Sequence, residues 1–104
     1  MEQPNLSLIK EIAGNDKDFQ NSILSILKKE FPLERDLYIE NFGAKDYAKA
    51  SDDVHKLKHK ISLLGLAQGF EIATKYEKEL RDNNTDLHVS FVQVLDKMDA
   101  YLNK

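Results

Sequence analysis

The sequence predicts an all-α fold, an antiparallel four-helix bundle with a short accessory N-terminal helix. Three observations predict it. Apolar residues recur at three- and four-residue steps along most of the chain, the spacing of a buried helix face. No run alternates apolar and polar residues convincingly enough for a strand. Only four glycines and two prolines occur, and most of them fall where helices should stop.

The accessory helix is expected over Asn5 to Ala13, with Leu6, Ile9 and Ile12 on one face and Gly14 as its stop. Asp16 can cap the next segment. There Phe19, Ile23, Ile26 and Leu27 are spaced as one buried stripe, and Leu33, Leu37 and Tyr38 carry apolar character onward to Gly43. Pro32 interrupts this stretch, because proline removes a helical hydrogen bond and crowds the preceding turn. The segment from Asp16 to Phe42 is therefore one bent helix or two consecutive ones. A third segment, Lys45 to Leu64, carries the stripe Tyr47, Ala50, Val54, Leu57, Ile61 and Leu64, with Gly65 as its stop. The fourth, Ala67 to Asp82, should bury Phe70, Ala73, Tyr76 and Leu80. Asn83-Asn84-Thr85-Asp86 is a polar turn able to cap the last helix, which uses Phe91, Val92, Leu95, Met98 and Leu102. Short connections between such helices favour the antiparallel bundle.

The 104 residues suit a single domain spanning 1–104 and are too few for two. The 41% hydrophobic and 32% charged content argues for a globular chain and against a disordered tail. No apolar run approaches the roughly 20 residues that cross a bilayer, and the start lacks the pattern of a secretory signal. Without cysteine there is no disulfide framework or thiolate metal site, so a reducing cytoplasm is the expected location. The net charge is −3 and Asp52 and Asp53 adjoin Lys56, Lys58 and Lys60, which argues against nucleic acid as a partner. No glycine-rich phosphate loop is present, so no nucleotide site or cofactor is expected.

The chemistry concentrates at His55. It lies roughly 120° from the middle of the apolar stripe, on the flank of its helix and facing water. Lys58, His59 and Ser62 follow three, four and seven residues on, so an ammonium, a second imidazole and a hydroxyl share its neighbourhood. A neutral imidazole nitrogen is a competent nucleophile near neutral pH. Attack on a phosphoryl group needs exposure and in-line access more than a deep pocket, and Lys58 can neutralise part of the charge that follows. His88 reads as a surface or capping residue, and Glu77 as a partner of lysines on its own helix.

The segment Val54-His55-Lys56-Leu57-Lys58-His59-Lys60-Ile61-Ser62-Leu63-Leu64-Gly65 resembles the motif of the histidine phosphotransfer (HPt) domain family. His55, Leu57, Lys58 and Gly65, ten residues after the histidine, match it; His59 stands where the family usually has glycine. The resemblance covers nearly the whole chain in length, helix count and motif position. It implies a monomeric phosphoryl carrier with no kinase activity of its own. His55 would be phosphorylated by the aspartyl phosphate of a receiver domain, from a response regulator or hybrid kinase, with Lys58 as charge partner. The receiver is expected around His55, Lys58, His59 and Ser62, on the exposed parts of the second and third helices. The magnesium of such transfers belongs to the receiver, so no metal is assigned here.

Two other functions fit the residues. One is a helical interaction module without chemistry. The other is a zinc site at Asp52, His55 and His59, spaced at i, i+3 and i+7.

Overall fold

A computed structural model describes residues 2–103. They form five helices and no strand: α1 (Ser7–Ala13), α2 (Lys17–Gly43), α3 (Tyr47–Leu63), α4 (Ala67–Arg81) and α5 (His88–Leu102). Helix contacts run around a closed circuit, α2 on α3, α3 on α4, α4 on α5 and α5 on α2, with α1 against α2. This is a helical bundle, and among the described residues no helix is long and apolar enough to cross a membrane.

The helix ends follow local chemistry. Asp16 accepts a hydrogen bond from the Phe19 amide at 2.9 Å and starts α2, and Asp46 does the same for α3 with the Lys49 amide at 3.2 Å. Three helices end in one device, a left-handed residue after the cap with two backward hydrogen bonds. After α3 the left-handed residue is Gly65, with φ of 74°; its amide bonds Ser62 and that of Leu66 bonds Ile61. After α4 the position belongs to Asn83, and after α2 to Lys45, both at φ of 60°. The expected stop at Gly43 is therefore shifted: Gly43 is the last residue of α2, and a lysine takes the conformation that glycine adopts most easily.

Pro32 neither splits α2 nor ends it; the helix runs 27 residues through it. The core anchors Leu27, Phe31 and Tyr38 lie on both sides of the proline, and their packing holds the helix together across the one missing bond.

The stripe expected on α2 is corrected in part. Leu27 and Tyr38 are buried, but Phe19, Ile26, Leu33 and Leu37 are exposed, at 48%, 53%, 67% and 43%. The helix carries two apolar rows, and the core takes Leu24, Leu27, Phe31 and Tyr38. Length contributes: at about 1.5 Å per residue α2 is roughly 40 Å long, whereas α3, α4 and α5 have 17, 15 and 15 residues to cover it. On α3 the expected row is buried at Ala50, Val54, Leu57, Ile61 and Leu64, while Tyr47 at its start is only partly buried. α4 buries Ala73, Tyr76 and Leu80 but leaves the expected Phe70 only partly buried, and α5 buries Phe91, Leu95, Met98 and Leu102 together with Val94, while the expected Val92 is only partly buried.

Candidate functional site

The site grows from one face of α3. Ser51, His55 and Lys58 stand four and three residues apart, on the side of the helix turned to α4. The tight Leu64–Leu66 connection folds α4 back along α3. A side chain at Gly65 would come within 2.6 Å of the Asn5 side chain, and the Asn5 amide bonds the Leu64 carbonyl at 2.8 Å. Gly65 thus serves both the left-handed turn and the close passage of the N-terminal segment.

Folding back brings Glu77 of α4 to the centre of the site. Its Oε1 lies 2.6 Å from His55 Nδ1 and its Oε2 accepts a hydrogen bond from Lys58 Nζ at 3.0 Å. Below it, Ser51 Oγ donates to the Glu77 backbone carbonyl at 2.7 Å and accepts from Arg81 Nε at 3.1 Å. Glu77 and Lys58 are each 14% exposed, while the His55 ring is half open, at 52%. An open depression lined by Asp52, His55, Lys56, Glu77 and Arg81 lies on this side of the ring.

Burial alone would raise the Glu77 carboxyl above its ordinary range. Hydrogen bonds from Lys58 and His55, together with their positive charge, outweigh it and hold the carboxyl below its ordinary range. An ionised carboxylate has no proton to give, so the 2.6 Å bond requires the hydrogen to sit on His55 Nδ1. In the neutral ring the free lone pair then belongs to Nε2.

The other expected site residues are placed as follows. Lys58 is beside His55, but its ammonium is held by Glu77 and lies 5.7 Å from the centre of the Phe70 ring. His59 is exposed and its ring stands edge-on to that of His55, with centres 5.1 Å apart and planes at 89°. Ser62 lines a neighbouring hollow with Asn5, Leu8 and Phe70. The element bordering His55 is α4. α2 faces a different side of α3, where Lys60 pairs with Glu30 and Glu34 and Asn41 bonds the buried Asp53.

Three expectations are corrected. Glu77 pairs across the helix boundary with α3, because its position beside the buried Tyr76 aims it at the neighbouring helix. The Asp52, His55 and His59 set does not gather: Asp52 is drawn to Arg81 at 3.6 Å, and among the described residues no group of three or more such side chains is placed to hold a metal. His88 is half-buried: it stacks on Phe42 with centres 3.7 Å apart and its Nδ1 lies 2.7 Å from the Tyr38 hydroxyl. That hydroxyl is 2.6 Å from the Tyr76 hydroxyl.

Position along the fold could have revealed Glu77. His55 lies ten residues before Gly65 and Glu77 twelve after it, so a hairpin closing at Gly65 sets them nearly level. The motif lies within α3 alone, and the pairing appears only on counting across the turn. Comparison of the chain with protein-family models, curated proteins and solved structures gives no match.

Proposed function

We propose that this protein is a histidine phosphotransfer carrier, taking a phosphoryl group onto His55 from the aspartyl phosphate of one receiver domain and delivering it to the aspartate of another. The observation that carries the reading is the Glu77 carboxylate on His55 Nδ1. It supports a ring fixed in orientation and tautomer, half open to solvent, with its nucleophilic lone pair on Nε2. The resemblance around His55, Lys58 and Gly65 agrees with it. With the reading comes the finer architecture, an antiparallel bundle of α2 to α5 with α1 as accessory, working as a cytoplasmic monomer.

The transfer balances without an external base. The Nε2 lone pair forms the N–P bond as the P–O bond to the receiver breaks, and that electron pair stays on the receiver's carboxylate. The hydrogen remains on Nδ1, so the phosphorylated ring is cationic and the Glu77 carboxylate offsets its charge. A cationic ring is a good leaving group, which suits onward transfer over storage. Lys58, one turn along from His55, exchanges its contact with Glu77 for one with the phosphoryl oxygens. The receiver docks over the flank of α3 and the adjoining α4, with His59 and Ser62 at the contact.

The test is labelling by a phosphorylated receiver. The wild-type chain gains an acid-labile label and His55→Gln does not. Undiminished labelling of His55→Gln would overturn the assignment.

A further inference from the structure

We propose that the Arg81 guanidinium is a second phosphoryl-binding cation of the His55 site, stored on Asp52 and released to the phosphoryl oxygens as they arrive. The inference rests on the phosphotransfer reading and adds a residue that the reading leaves idle.

Position carries the inference. Arg81 and His55 line the same open depression, together with Asp52, Lys56 and Glu77. Arg81 follows Glu77 by four residues on α4, and its contacts set the guanidinium level with Ser51 and Asp52, four and three residues before His55 on α3. It therefore stands about one helical turn, roughly 6 Å, from the level of the His55–Glu77 bond. A phosphoryl group in the depression and a charge-assisted hydrogen bond of about 2.8 Å close that gap between them.

The guanidinium is anchored at one end and loose at the other. Its Nε donates to Ser51 Oγ at 3.1 Å, and Ser51 Oγ is tied to the Glu77 carbonyl at 2.7 Å. Its Nη2 only approaches Asp52, at 3.6 Å, and both side chains are largely exposed. Among the described residues no hydrogen bond occupies either Nη group. Anchoring Nε limits the freedom of the fork and leaves both Nη groups for two-point contact with phosphoryl oxygens. Lys56 adds positive charge to the depression but hydrogen-bonds to none of the described residues.

Lys58 offers the contrast. Its ammonium bonds Glu77 at 3.0 Å, and both side chains are mostly buried. Lys58 reaches a phosphoryl group only by taking a partner from a poorly solvated carboxylate, which is costly. Arg81 gives up an exposed ion pair, which contributes little. Arg81 therefore meets the phosphoryl group first, and Lys58 follows. Asp52 opposes both, because it competes for Arg81 and repels an anion in the same depression.

The experiment follows the rate of His55 labelling in the full chain with two donors, phosphoramidate and a phosphorylated receiver. With phosphoramidate, the Nε2 lone pair forms the N–P bond as the donor's P–N bond breaks. The donor nitrogen, already protonated, leaves as ammonia with the electron pair of the broken bond. Arg81→Gln, confirmed as folded by circular dichroism, should slow labelling by both donors on the order of tenfold. Arg81→Lys should recover part of that loss, since it restores the charge without the fork. Asp52→Asn should speed labelling by about two- to threefold, a sign that a structural Asp52–Arg81 brace would not give. Equal rates for Arg81→Gln and the wild type overturn the proposal and leave the phosphotransfer reading intact. Slowing by Asp52→Asn as large as that by Arg81→Gln also overturns it, because the pair would then be a brace. A chain labelled by phosphoramidate with these rates, but by no receiver, keeps the Arg81 role and loses the relay. A chain labelled by neither donor loses both.

Discussion

His55 and His88 are both held through Nδ1, and their surroundings differ in exposure and in the charge of the partner. His55 meets a carboxylate and leaves half of its ring open. His88 meets a phenol, stacks on Phe42 and loses solvent to α2 and α5. The ionised Glu77 dictates the tautomer of His55 and can offset a positive ring. The Tyr38 hydroxyl accommodates either tautomer of His88, and no carboxylate bonds that ring among the described residues. One imidazole keeps an open face beside a carboxylate; the other closes a buried polar chain from Tyr76 through Tyr38. Exposure and the charge of the partner separate the two, and neither is visible in the residue name.

The largest effect should come from exchanging each imidazole in turn. His55→Gln should lower receiver-dependent labelling by about 100-fold or more, because glutamine offers no comparable nucleophile. His88→Gln, confirmed as folded by circular dichroism, should stay within about twofold of the wild type. Equal losses in both variants would erase the distinction between a reacting and a structural histidine.

Next in size is the buried chain. Tyr38→Phe removes the hydroxyl shared by Tyr76 and His88, and leaves buried polar atoms to re-pair across a separation of 3.5 Å. The expected loss is about 1–3 kcal/mol in denaturant unfolding. A loss below about 0.5 kcal/mol, the scatter of ordinary surface changes, would show that the chain carries no stability.

A smaller change sharpens the account of Glu77. Glu77→Gln keeps an oxygen to accept from Nδ1 but cannot offset a cationic ring or hold Lys58. Labelling should slow by about tenfold, near 1.4 kcal/mol of barrier. Glu77→Ala, which also frees the ring, should slow it further. If glutamine performs as well as glutamate, orientation of the ring is the whole contribution and its charge none.

Sequence periodicity was a good guide where one apolar row existed and a poor one where there were two. On α3 the row from Tyr47 to Leu64 is the only candidate, and all of it but Tyr47 is buried. On α2, Phe19, Ile26, Leu33 and Leu37 keep helical spacing as well as the row that faces the core. Period alone cannot choose between rows; the neighbours choose, and the length of α2 outruns them. At the site, His55, Lys58 and Gly65 were legible because they lie within one helix and its stop. Glu77 was not, because its partners are set by the hairpin between α3 and α4. Ser51 was missed for a related reason: its hydroxyl is spent on a backbone carbonyl of the next helix. His88 was misread because its burial comes from Phe42 and Tyr38, far away along the chain.

The last prediction concerns protons and distinguishes the two histidines without any partner protein. Burial pushes the His88 imidazole below its ordinary value of 6.5. Above about pH 6.5 the ring is neutral in both folded and unfolded chains, and its contribution to stability is complete. As the pH falls through 6.5 the unfolded chain takes up a proton that the native ring resists, so stability declines until the native ring also titrates. Glu77 acts in the same direction but later: its contribution is present above its ordinary value of 4.5 and fades as pH falls through its lowered one. Asp53 acts in the opposite sense, since burial raises its carboxyl above 3.8 and lets the native state hold a proton first. Subtracting the His88→Gln profile from that of the wild type cancels both carboxyls. The difference in unfolding temperature should be flat above about pH 7 and should fall from about 6.5 downward. A difference that stays level down to pH 5 would mean that the Phe42 stack and the tyrosine chain accept the charged ring as readily as the neutral one.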